Sequence, residues 1–95
     1  MPAYVIVRVN VTDMETYQDY MKLTPATIEQ YGGKFIARGG DVLTLEGTPE
    51  TQRVVLLEFE SIDIAQAWYN SDEYQSAKAV RENAAEAQFI VIESV

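Results

Sequence analysis

Arg38 closes the run Gly32-Gly33-Lys34-Phe35-Ile36-Ala37-Arg38-Gly39-Gly40, in which two glycine pairs bracket a strand-like segment. A guanidinium at a strand end beside glycines can grip a carboxylate or phenolate through two parallel hydrogen bonds, with backbone amides assisting. The structural alternative is an ion pair with Glu58 or Glu93 inside an interface, where a matched charge has no chemical role. A second group gathers at Trp68, Tyr69 and Tyr74, around an interrupted helical pattern at Asn70-Ser71. A helix broken beside aromatic side chains can open a slot between helix and sheet in which an aromatic molecule stacks. The alternative there is that Trp68 simply anchors the core. Tyr69 and Tyr74 follow Trp68 at one and six positions, so the three cannot all face one way. That leaves at least one hydroxyl for another role. Tyr17 and Tyr20 line the same slot from an earlier helix, or pack semi-buried against it. Asn10 ends a strand with Arg8 and can orient a carbonyl or merely terminate the strand.

What these residues could do is bounded by what is missing. There is no histidine and no cysteine, so the usual zinc, haem and thiolate ligands are absent and neither a metal nor a cofactor is expected. General acid–base catalysis near neutral pH needs a group tuned to that range. A carboxylate such as Glu58 reaches it only by desolvation or a like charge. The catalytic candidates are therefore Arg38, Tyr69 and Glu58. The ligand-binding candidates are Arg38, Trp68, Tyr69, Tyr74, Tyr17 and Asn10. Gly32-Gly33 lies at a helix end, the wrong polarity for phosphate. With 15 acidic and 7 basic residues, and a net charge of −8, the chain repels phosphate backbones and anionic lipid surfaces. No apolar run approaches a membrane span and no signal peptide is visible, so a cytoplasmic location is expected.

The elements that must hold these groups can be read from periodicity. Residues 4–11 alternate, with Val5, Val7, Val9 and Val11 on one face. Thr12 and Glu15 form a capping-box pattern for a helix whose face is Met14, Tyr17, Met21, Thr24, Ile28 and Tyr31. Pro25 predicts a kink or break near Leu23 and Thr24, and Gly32-Gly33 ends the helix. A strand over 34–38 is expected to resume after a Gly39-Gly40 bulge as 42–45, followed by a turn over 46–49. Arg53 to Glu60 reads as the third strand. Ser61 caps a second helix, Ser71 caps a third segment, and Phe89 to Val95 is the last strand.

This βαββαβ order predicts an α+β, ferredoxin-like sandwich: one domain over residues 1–95, an antiparallel sheet in the order four-one-three-two, and both helical layers on one face. The expected helix-side core is the strand-one valines with Phe35, Ala37, Val55, Leu57, Phe59, Ile90 and Ile92. The opposite face would carry Tyr4, Ile6, Ile36, Val54, Leu56, Phe89 and Val91, with Arg8, Arg38, Glu58 and Glu93 available to pair. Such a face is too apolar to leave in water. A second copy is its natural cover, giving a homodimeric α/β barrel with Arg8 facing Glu58 at the interface.

The glycine-bracketed run, Leu45-Glu46-Gly47, Arg53-Val54-Val55, Ala67-Trp68-Tyr69-Asn70-Ser71 and Glu73-Tyr74 together resemble the bacterial family called Domain of Unknown Function 1330. The resemblance spans essentially the whole chain and implies a dimeric, ferredoxin-like α/β barrel. It implies no activity. Relatives by architecture include cofactor-independent quinol monooxygenases, muconolactone-type isomerases and haem-handling enzymes, an analogy of fold alone. The expected function is a small dimeric protein binding a small aromatic or anionic molecule between helices and sheet. One alternative is a cofactor-independent monooxygenase or isomerase acting on a phenolic or lactone-like metabolite. Another is a structural or regulatory partner protein.

Overall fold

Val5, Val7 and Val9 are buried on one face of a strand, β1 (Ala3–Val11), that runs through the middle of the sheet. The computed structural model describes residues 1–95 throughout. After β1 come α1 (Met14–Gln30), β2 (Lys34–Arg38), β3 (Arg53–Phe59), α2 (Ile62–Tyr69), α3 (Asp72–Arg81) and β4 (Ala85–Glu93). The four strands are antiparallel in the order β2-β3-β1-β4, as the motif predicts. The fold is ferredoxin-like, with the core between the helices and the sheet face that carries the β1 valines, Val55, Leu57 and Phe59.

Local chemistry explains the helix boundaries. Asp13, not Thr12, caps α1: its carboxylate accepts from the Thr16 N–H at 3.2 Å and from the Thr16 hydroxyl at 2.8 Å. At the other end the Gly33 N–H reaches the Ile28 carbonyl and the Gly32 N–H that of Glu29, each at 2.9 Å, with Gly32 at φ 70. This is a Schellman ending, which needs a left-handed residue that glycine adopts without strain. Gly33 is required for another reason, since a Cβ there would lie 2.4 Å from the Phe59 ring. The break expected at Pro25 does not occur, and α1 runs through it. Proline lacks the N–H that would bond the Met21 carbonyl. Arg38 Nη2 takes that place, donating to Met21 O at 2.8 Å.

Two strand expectations are corrected. The bulge lies at Ile36, between the pairs Phe35–Leu57 and Ala37–Leu56, rather than at Gly39-Gly40, and residues 42–45 form no strand. One extra residue shifts the alternation of everything after it. Ala37 thereby turns to the outer face and Arg38, opposite Val55, to the helix side. In β4, Val91 pairs with Val5 and Phe89 with Val7, so Phe89 and Val91 face the helices while Ile90 and Ile92 face outward. Phe89-Ile90-Val91-Ile92 is continuously apolar, and alternation cannot choose a face for such a run. Glu93, opposite Ala3, likewise leaves the outer face.

Candidate functional site

Trp68 stands between two spaces on the helix side of the sheet. It is 1 % exposed and donates from Nε1 to the Thr27 hydroxyl at 3.1 Å. Its ring meets those of Phe59 at 5.2 Å and Tyr74 at 4.4 Å. Ser71 makes this packing possible. Its hydroxyl donates to the Trp68 carbonyl at 2.7 Å and accepts from the Tyr74 N–H at 3.1 Å, ending α2 and starting α3 in one step. Because the helix axis is reset there, Trp68, Tyr69 and Tyr74 do converge, contrary to the expectation for a single helix.

The first space, between α1 and the sheet, measures about 30 Å³, room for roughly one water. Tyr17, Tyr20 and Phe35 line it, with Arg38 and Arg53. The Arg38 guanidinium lies 4.3 Å over the Phe35 ring. Burial pushes the Tyr17 phenol above its ordinary value against the opposing pull of Arg53 and Arg81. Burial, reinforced by Tyr74, pushes Tyr20 strongly upward as well. Both phenols are therefore neutral donors and acceptors, not bases.

The second space is a cleft of about 660 Å³ bounded by α2, α3 and β4, within the range of small-ligand sites. Trp68, Tyr69, Ile62, Phe89 and Val91 supply apolar walls, and Gln66, Asn70, Lys78 and Arg81 supply polar groups. The Lys78 ammonium sits 5.5 Å over the Tyr69 ring. No aspartate or glutamate lines either space. The chain's ion pairs lie elsewhere: Arg8 with Glu50 at 2.6 Å and Lys34 with Glu58 at 3.1 Å.

The expected site residues therefore divide. Arg38, Tyr17 and Tyr20 line the narrow space, Tyr69 lines the cleft, and Trp68 borders both. Tyr74 lines neither of them; it is fully buried, its hydroxyl 2.8 Å from that of Tyr20. Asn10 is exposed and shares the outer face with Glu58 and Arg8, away from the aromatic cluster. Within the chain Glu58 pairs with Lys34, and Arg8 with Glu50. Two further cations, not among the expected site residues, line these spaces, Arg53 the narrow one and Arg81 the cleft. Arg53 follows the period of two set by Val55, Leu57 and Phe59, and Arg81 follows the helical spacing of Tyr74 and Ala77, so each was marked as inward by its pattern. No group of histidine, cysteine or carboxylate side chains is arranged to hold a metal ion.

A βαββαβ layer with an apolar cleft against its edge strand defines a small ferredoxin-like α+β protein. The sequence profile of the family described as Domain of unknown function (DUF1330) matches residues 2–95, and the chain belongs to that family. A protein of unknown function from Rhodopseudomonas palustris is 21 % identical, with a TM-score of 0.78 covering 99 % of this chain and 82 % of the other. A dimeric ferredoxin-like protein of unknown function from Jannaschia sp. CCS1 is 12 % identical, with a TM-score of 0.73 covering 99 % and 100 %. SnoaB, a cofactor-independent oxygenase from Streptomyces nogalater, is 10 % identical, with a TM-score of 0.70 covering 99 % and 93 %. At these identities the likeness is one of fold. No curated protein is similar enough to count as a relative.

Proposed function

We propose that this protein binds a small, mainly apolar molecule of aromatic or anionic character in the cleft between α2, α3 and β4, as a homodimer joined through the outer sheet face. The observation that supports the reading is the cleft itself: ligand-sized, walled by Trp68, Tyr69 and Phe89, and lined with cations and amides but no carboxylate, in a chain of net charge −8. Arg38, the leading sequence candidate, borders a space too small for such a ligand.

Native mass spectrometry of the purified protein tests this directly. The expected species is a dimer retaining a reproducible small mass, or taking one up from a panel of aromatic acids and phenols. Ala87 is exposed and lines the cleft, so Ala87→Trp should fill it and abolish uptake without unfolding the chain. Uptake undiminished in Ala87→Trp, or none in the parent protein, would reject the cleft. A second reading, cofactor-independent oxygenation of a phenolic ligand, draws on the shared fold with SnoaB. It predicts oxygen consumption once the bound ligand is supplied in excess, and a flat oxygen trace rules it out for that ligand.

A further inference from the structure

We infer that Arg81 is the anion anchor of the cleft, and that the ligand class is an aromatic molecule bearing a carboxylate. The inference rests on the cleft reading above and names its chemistry. Arg81 is only 6 % exposed, yet no carboxylate pairs with it. Its single hydrogen bond runs from Nη2 to the Tyr74 hydroxyl at a long 3.4 Å. Its Nε is buried with no partner at all. Two neutral rings lie near it, Phe89 at 5.2 Å and Tyr20 at 5.4 Å from the guanidinium carbon.

A buried guanidinium left in this condition is costly, because its charge loses water and gains no opposite charge. The chain has 15 acidic residues from which a partner could have been drawn. None is placed there, while the two ion pairs that do form are on exposed ground. What the guanidinium lacks is an acceptor that comes from outside. A guanidinium donates and cannot accept, so Tyr74 accepts from Arg81, and the same hydroxyl is hydrogen-bonded to that of Tyr20. A carboxylate matches a guanidinium's planar donors. Lys78, three residues earlier on α3, shares the cleft and adds a second positive charge. Tyr69 and Phe89 offer ring faces to the body of the ligand.

The test compares benzoate with benzamide, which share shape but not charge, by calorimetric titration of the full chain. Benzoate is expected to bind at least tenfold tighter. In Arg81→Met, which keeps the apolar stem, that preference should vanish; Arg81→Lys should restore part of it. The ligand-free Arg81→Met protein should melt no lower than the parent, since an unpaired buried charge has been removed. Equal affinities for the two probes in the parent would overturn the Arg81 assignment while leaving the cleft reading intact. Absence of binding by either probe, together with no uptake in the mass-spectrometric panel, would defeat both. Should Arg81→Met fail to fold, the Arg81 Nε–H resonance of the parent decides: a shift with benzoate and not with benzamide supports the anchor, and an equal response to both rejects it.

Discussion

Thr27 is a threonine because the indole beneath it needs an acceptor. Its hydroxyl donates to the Thr24 carbonyl at 2.8 Å, which leaves its lone pairs aimed at Trp68 Nε1. Replacing it with valine keeps the shape and removes the acceptor, leaving a buried N–H unpaired. Such a loss costs about 1–3 kcal/mol, so Thr27→Val should lower the chemical-denaturation midpoint accordingly. No change in the midpoint would show that Trp68 is held by packing alone. The same residue-scale logic separates Tyr74 from Tyr69. Tyr74 is enclosed and bonded to Tyr20, whereas Tyr69 faces the cleft beneath Lys78.

At the scale of elements, the connection between β2 and β3 is tied down at its far end by one carboxylate. Glu50 receives Arg8 Nε at 2.6 Å and Nη2 at 2.9 Å, and accepts the Thr51 and Gln52 N–H groups at 3.1 and 3.3 Å. The Arg8 hydrogen bond is the main reason its carboxyl falls from 4.5 to about 2. A depressed carboxyl stabilises the folded form above its ordinary value, and that contribution is lost as the pH falls through the depressed one. Amide exchange at Thr51 and Gln52, corrected for intrinsic rate, should therefore accelerate relative to β3 as the pH drops from about 4.5 towards 2. Glu50→Gln should show the acceleration already at neutral pH. Uniform behaviour across the loop and β3 would mean the tether contributes nothing.

At the scale of the molecule, the proposed homodimer turns on the outer sheet face. Ile6, Leu56 and Val54 are half-buried there, and Ile36, Ile90 and Ile92 are about half exposed. Leu43 and Leu45, in the connection between β2 and β3, are 81 % and 89 % exposed. An exposed apolar face of this kind fits the proposed homodimer interface. Since Arg8 and Glu58 already have partners within the chain, association through this face should be driven by apolar burial and be insensitive to salt. Leu56→Arg, at the centre of the face, should convert the proposed dimer to a folded monomer in light scattering after size-exclusion chromatography. A dimer that persists in Leu56→Arg, or dissociates with added salt in the parent, would place the interface elsewhere.

Much of this was legible in the amino-acid sequence, because much of it is local. The valine alternation of β1, the Ser61 and Ser71 caps, the glycine ending of α1 and the βαββαβ order follow from backbone preference and the periods of two and 3.6. They suffice to specify the ferredoxin-like fold. The face presented by β4 and the side of the sheet taken by Arg38 depend instead on register. Register is settled across strands, where a continuous apolar run or one bulged residue reverses every side chain beyond it. The cleft is of the same kind. Trp68, Phe89 and Arg81 are brought together from α2, β4 and α3, and only the packing of those elements reveals that a buried guanidinium there has no counterion.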